Sequence, residues 1–92
     1  MNILIIDNSS TLSHIMVRTL ESYDYKTALD TGKFENRYLL EEGKFELVIL
    51  NLSLPKNKSF NILKDIKHIS PSTKILGICR REGWKNKVKF LQ

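Results

Sequence analysis

The run Leu47, Val48, Ile49, Leu50 is apolar at every position and stops at Asn51. A strand that is apolar on both of its alternating faces must be covered on both sides, which is the situation of a central strand in a parallel sheet. Two more runs share this design: Ile3 to Ile6 ends at Asp7, and Lys74 to Ile78 ends at Cys79. Ligands of open α/β sheets bind beyond the carboxyl ends of the strands. Asp7, Asn51, Cys79 and the loop from Asn51 to Pro55 are therefore expected on one rim, where any chemistry would sit.

The segments between these runs supply the covering helices. Asn8, Ser9, Ser10 and Thr11 offer caps, and Leu12, Ile15, Met16, Thr19 and Leu20 then recur at helical spacing to about Ser22. Tyr25 to Leu29 reads as a short strand closed by the turn formers Asp30, Thr31 and Gly32. Phe34 to Glu42 reads as a helix with Gly43 as its terminator. After Pro55, Ser59 is placed to cap a helix that carries Phe60, Leu63, Ile66 and Ile69, which Ser70 and Pro71 end. Glu82 to Gln92 reads as a last helix, with Trp84, Val88 and Leu91 along one side. The order βαβαβαβα is that of an α/β three-layer sandwich whose parallel strands are joined by right-handed crossovers.

The chain has 92 residues, which places it as a single domain over residues 1–92. No apolar run approaches the roughly 20 residues that span a bilayer, and MNILIID lacks the basic region and cleavage site of a signal peptide. The one cysteine forms no internal disulfide, and a reducing, cytoplasmic setting is expected. The formal net charge is +5, with most of the late charges basic, yet no nucleic-acid recognition motif accompanies them. Nucleic acid and membrane are not expected partners. His14 and His68 fall on separate helices at no metal-binding spacing, so no metal site is expected from them.

The pieces ILIIDNSSTL, FELVILNLSLP and FNILKDIKHISPSTKIL resemble the receiver domain of two-component response regulators, and the likeness runs through nearly the whole chain. It implies a flavodoxin-like, receiver-like sheet of four parallel strands in the order 2-1-3-4, with the family's fifth strand and fifth helix missing. In that family an acidic pair after the first strand holds Mg²⁺ and an aspartate after the third accepts phosphate from a histidine kinase. A hydroxyl residue ends the fourth strand and a lysine ends the fifth. By this resemblance Asp7 matches the first acid, Asn8 stands at the second, Asn51 stands at the phosphoacceptor position, and Cys79 stands at the hydroxyl position.

An amide is a poor substitute for an acceptor carboxylate, because its nitrogen lone pair is delocalised and its oxygen is neutral. The resemblance therefore implies a regulatory module of phosphorelay signalling that is not phosphorylated, is not an enzyme, needs no cofactor, and works through protein–protein contacts. Asp7 has a plainer role open to it, as a cap for the loop that follows, and Cys79 as a small filler at a strand end. Two other readings compete. A flavin-binding protein of flavodoxin-like architecture would use the Ser- and Thr-rich loop after the first strand for phosphate, although that loop is acidic at Asp7 and has no glycine. A receiver with an engineered Asn51 is the other, but one substitution does not account for Asn8 and Cys79.

Basic residues near Phe60 and Trp84, chiefly Lys85, Lys87 and Lys89, mark the expected surface for another signalling protein that is acidic and partly apolar. A homodimer is also expected. With crossovers right-handed, the first helix lies on the face opposite the second and third and leaves it undercovered, the side taken by the terminal helix being open. Leu12, Ile15, Met16, Ile75, Ile78, Val88 and Leu91 are therefore the candidate contacts, with the fourth strand as an open edge.

Overall fold

The computed structural model describes residues 1–35, 37–79 and 87–91, the last as a strand. The elements run β1 (Asn2–Ile6), α1 (Ser10–Ser22), β2 (Lys26–Asp30), α2 (Arg37–Glu41), β3 (Leu47–Asn51), a 3-10 turn (Pro55–Asn57), α3 (Lys58–Ile69), β4 (Lys74–Cys79) and β5 (Lys87–Leu91). The first four strands are parallel in the order β2-β1-β3-β4, as the resemblance implies. Leu4 lies beside Val48, and Val48 beside Ile75, so the three apolar runs form the middle of the sheet in register.

The end of the chain differs from expectation. Residues 87–91 are not helical: they add to β4 as an antiparallel fifth strand, with Ile75 opposite Leu91 and Cys79 opposite Lys87. The helical spacing of Val88 and Leu91 competes with a period-two reading of Lys87, Val88, Lys89, Phe90 and Leu91. The unpaired ladder of β4 decides between them by offering a row of backbone partners that an isolated short helix lacks. A fifth strand is therefore present, though antiparallel, and β4 is not an open edge. Trp84 and Lys85 lie outside the described residues.

The strands alternate their apolar side chains between two faces. One face, with Leu4, Ile6, Val48, Leu50 and Ile75, packs against Leu40 of α2 and Ile62 and Ile66 of α3. The other, with Ile3, Ile5 and Ile49, packs against Met16, Val17 and Leu20 of α1. The helices are thus divided as right-handed crossovers require. Gly43 ends α2 as expected: its φ is 69°, its N–H donates to the Leu40 carbonyl, and the Lys44 N–H donates to that of Leu39. That pair of bonds is a Schellman motif.

Helix rotation was legible only in part. α1 turns Ser13 inward beside Met16, Val17 and Leu20, and leaves Leu12 and Ile15 exposed. α3 buries Ser59, Ile62 and Ile66, while Phe60, placed by its spacing with Leu63 and Ile66 on the packing side, is 58% exposed. Successive residues of a helix are about 100° apart, so drawing Ser59 into the interior turns Phe60 out. Replacing Ile66 with alanine should cost about 2–5 kcal/mol by cavity formation. The Phe60→Ala change should stay within about 0.5 kcal/mol. Urea midpoints at constant m-value measure both, and equal losses would show that α3 packs on its Phe60 side.

Candidate functional site

β1 and β3 are neighbours and end at the same level, which brings Asp7 and Asn51 together at the carboxyl rim. Both are buried, at 3% and 5% exposure. The Asn51 Nδ2 donates to Asp7 Oδ1 at 3.1 Å and lies 3.4 Å from Asn8 Oδ1. Its Oδ1 accepts from the Ser53 backbone N–H at 2.8 Å. A backbone N–H only donates and a carboxylate only accepts, so these two neighbours fix the amide's orientation. Asp7 Oδ1 also accepts from the Ser9 N–H at 3.0 Å, folding the loop after β1.

The expected side-chain caps do not form. Ser9 is the N-cap of α1 but makes no side-chain cap bond, and its carbonyl accepts from Ser13 instead. α3 likewise has Asn57 as N-cap without a side-chain bond. Ser59 sits inside the helix and does different work: its hydroxyl donates to the Asn51 carbonyl at 2.7 Å and accepts from the Leu54 N–H at 3.0 Å. It ties the end of β3 to the start of α3 across a loop in which Lys56 and Asn57 both have left-handed backbones, with φ of 57° and 59°. That conformation disfavours a lysine by roughly 1–2 kcal/mol.

Cys79 reaches the same rim, with its Sγ 3.9 Å from the Ser53 hydroxyl, and is half-buried. Leu52 continues the β3–β4 ladder through its N–H to the Ile78 carbonyl. Asp7, Asn8, Asn51 and Cys79 are therefore gathered at one end of the sheet, as the strand ends imply. The other candidates lie elsewhere: Phe60 on the outer side of α3, Leu12 and Ile15 on the exposed side of α1, and Lys87 and Lys89 on β5. Met16 and Ile78 are half-buried on the α1 face. Ile75 is 2% exposed inside the α2 and α3 core, so it is not a surface contact. His14 and His68 are exposed, on α1 and α3.

Ser53 escaped the sequence reading, while Ser59, expected as a cap, and Asp30, expected as a turn former, have bonds that it did not foresee. Ser53 and Ser59 carry no local signal, since their partners are backbone groups set by the fold. Asp30 carries one: its Oδ1 accepts from the N–H groups of Gly32 and Phe34, both at 2.9 Å, an Asx-type turn that Asp30-Thr31-Gly32 advertises. This turn, with φ of 59° at Phe34, keeps 31–34 out of α2, which is shorter than its expected span.

Chemically the rim is a hydrogen-bonded network with one carboxylate in place of a cation cage. Mg²⁺ takes near-octahedral oxygen ligands, usually through one or two carboxylates. Here the Asn51 side-chain nitrogen faces an oxygen of Asp7 and one of Asn8. No cluster of three His, Cys, Asp or Glu fit for a metal occurs among the described residues. The side chains gathered at this rim supply one carboxylate, that of Asp7, to a divalent ion.

A family model described as the response regulator receiver domain matches residues 3–92. Similar curated proteins include the virulence transcriptional regulatory protein PhoP of Salmonella typhimurium, Salmonella choleraesuis and Salmonella typhi. Each is 24% identical over 91 residues, which are 99% of this chain and 41% of the relative. The chain thus spans about two fifths of the length of the curated relatives it matches. A solved structure, of a response regulator protein from Burkholderia pseudomallei with a phosphorylated aspartic acid, calcium ion and citrate, shares the fold. Its TM-score is 0.75 at 24% identity, over 91% of this chain and 48% of that one.

Ser59→Ala should strand the Asn51 carbonyl and the Leu54 N–H inside the protein, costing about 1–3 kcal/mol. Hydrogen exchange at Leu54 should accelerate by more than global stability requires. Unchanged exchange there would show that the serine bridge does not hold the loop.

Proposed function

The chain belongs to the response regulator receiver domain family, and from that membership we propose that it takes no phosphoryl group and works in phosphorelay signalling by binding other proteins. The observation that carries this reading is the buried amide of Asn51 hydrogen-bonded to Asp7. Transfer of a phosphoryl group to a carboxylate needs an anionic oxygen nucleophile and a cation against the charge that develops on the transferred group. Asn51 offers a neutral oxygen that already accepts a bond from Ser53. Its N–H groups take the place of a metal in answering Asp7. The module is then neither an enzyme nor a phosphorylation switch, and it acts from the one state its rim holds. The same reading makes it cytoplasmic and free of cofactors.

Its contacts follow from the exposed residues. Phe60 on α3, with the neighbouring lysines, suits an acidic and partly apolar protein partner. Leu12 and Ile15 are 36% and 53% exposed on α1, and Leu76 and Ile78 beneath that face are only half-buried. A two-fold contact centred on Leu12, Ile15 and Met16 is the proposed homodimer. Neither Ile75 nor the β4 edge belongs to it, because the core takes one and β5 the other.

Incubation with acetyl phosphate or phosphoramidate and Mg²⁺ should leave the intact mass unchanged. A hydroxylamine-labile phosphate adduct would refute the reading. Asn51→Asp alone should place two carboxylates about 3 Å apart and lower the melting temperature without divalent cations. With Asn8→Asp added, Mg²⁺ should raise the melting temperature of the variant and leave that of the wild type unmoved. For the dimer, light scattering at micromolar concentration should give twice the chain mass, and the exposed-site change Ile15→Asp should halve it. A monomeric wild type would remove the homodimer from the proposal and leave the rim argument standing.

A further inference from the structure

A second polar site lies away from the rim, between the loop after β2 and one side of α3. It is a cleft of about 270 Å³ whose lining includes Lys33, Phe34, Arg37, Lys58, Asn61 and Asp65, and none of Asp7, Asn8 or Asn51. We infer that this cleft binds a small phosphate-type oxyanion, such as a phosphate or diphosphate group of a metabolite.

Three cations converge on it from three separate elements: Lys33 from the loop, Arg37 from α2 and Lys58 from α3. The one acid in its lining is Asp65, which Arg37 meets at 3.3 Å, while Arg37 Nε lies 3.9 Å from Glu41. Neither Lys33 nor Lys58 has an ion-pair partner among the described residues. Lys33 and Lys58 line the cleft from different elements, and an anion held there would offset the mutual repulsion of these exposed charges, which solvent and salt screen in part. The tetrahedral geometry favours phosphate. Its oxygens diverge toward several directions, whereas a planar carboxylate presents two in one plane, and that kind of partner Arg37 already has in Asp65. Lysines bind phosphate as point charges without needing a fixed fork.

The walls are built before any ligand arrives. Asp30 holds the loop through the Gly32 and Phe34 N–H groups, and Ile62 fixes the opposing face of α3 in the core. The volume lies just below the roughly 300–1,000 Å³ of sites for drug-sized molecules. Phe34 and Ile62 add a small apolar floor, so a short organic group on the phosphate would be accepted.

The test is a chemical-shift titration of the whole chain with sodium pyrophosphate, at ionic strength held constant with sodium chloride. Saturable shifts are expected at the amides of Gly32 to Phe34 and of Lys58 to Asp65. The Lys33→Glu, Lys58→Glu variant should bind at least tenfold more weakly, and the charge-neutral Lys33→Gln, Lys58→Gln variant should fall between. Asp65→Asn should bind more tightly, because it removes the competing acid. Unsaturable shifts spread over all lysines, or affinity indifferent to both lysine variants, would overturn the site. Tricarballylate binding as tightly as pyrophosphate would overturn its assignment to phosphate. None of these outcomes depends on whether Asn51 accepts a phosphoryl group.

Discussion

A carboxylate buried at the end of a parallel sheet has to be met by positive partial charge, and the rim of this protein is arranged around that need. Asp7 is almost wholly enclosed, with the Ser9 N–H and the Asn51 amide directed at one of its oxygens. An ion would do the same with more charge, but at the expense of stripping its water and of requiring further acids around it. The amide is weaker and permanent. It is supplied by the fold itself, since the β1–β3 register alone puts position 51 beside position 7.

The same amide connects the rim to the helix beyond it. Its side-chain oxygen fixes Ser53, and its backbone oxygen receives the Ser59 hydroxyl, which in turn receives Leu54. The three bonds enclose a loop with two consecutive left-handed residues, a conformation of about 1–2 kcal/mol disadvantage at the lysine. The inward pull on Ser59 also sets the rotation of α3, so that Ile62 and Ile66 enter the core and Phe60 faces out. The chemistry of the rim and the shape of the protein's outer surface are in this sense one piece of geometry.

The sheet was legible because burial on both faces leaves an unmistakable pattern in Ile3 to Ile6, Leu47 to Leu50 and Ile75 to Ile78, and the strand ends carried the rim residues with them. Gly43 was legible because a left-handed helix terminus favours glycine. Helix rotation was not, since a serine buried for its hydroxyl looks like a surface residue until its backbone partners are known. The β5 strand was not, because Lys87 to Leu91 satisfies both periodicities and only the neighbouring edge of β4 chooses between them. The cap expected from Ser59 failed for a related reason: its hydroxyl has a use at the end of β3 that only the tertiary fold creates.

The presence of β5 alters the physics of self-association. An unpaired β4 would have presented a row of backbone groups to any extended chain, a contact with little discrimination. With β5 laid against it, β4 has no ladder left to offer and the edge of the sheet passes to β5, while Leu12 and Ile15 stay exposed on the α1 side. Burying a fully exposed aliphatic residue yields about 1.5–3 kcal/mol, and Leu12 and Ile15 are only partly exposed. Four such residues in a two-fold contact yield at most about 6–12 kcal/mol, against an association cost of about 4–15 kcal/mol. The balance is close to zero on these residues alone, so the proposed dimer, which needs about 8 kcal/mol to form at micromolar concentration, has to draw the rest from the half-buried Met16, Leu76 and Ile78 of the same face.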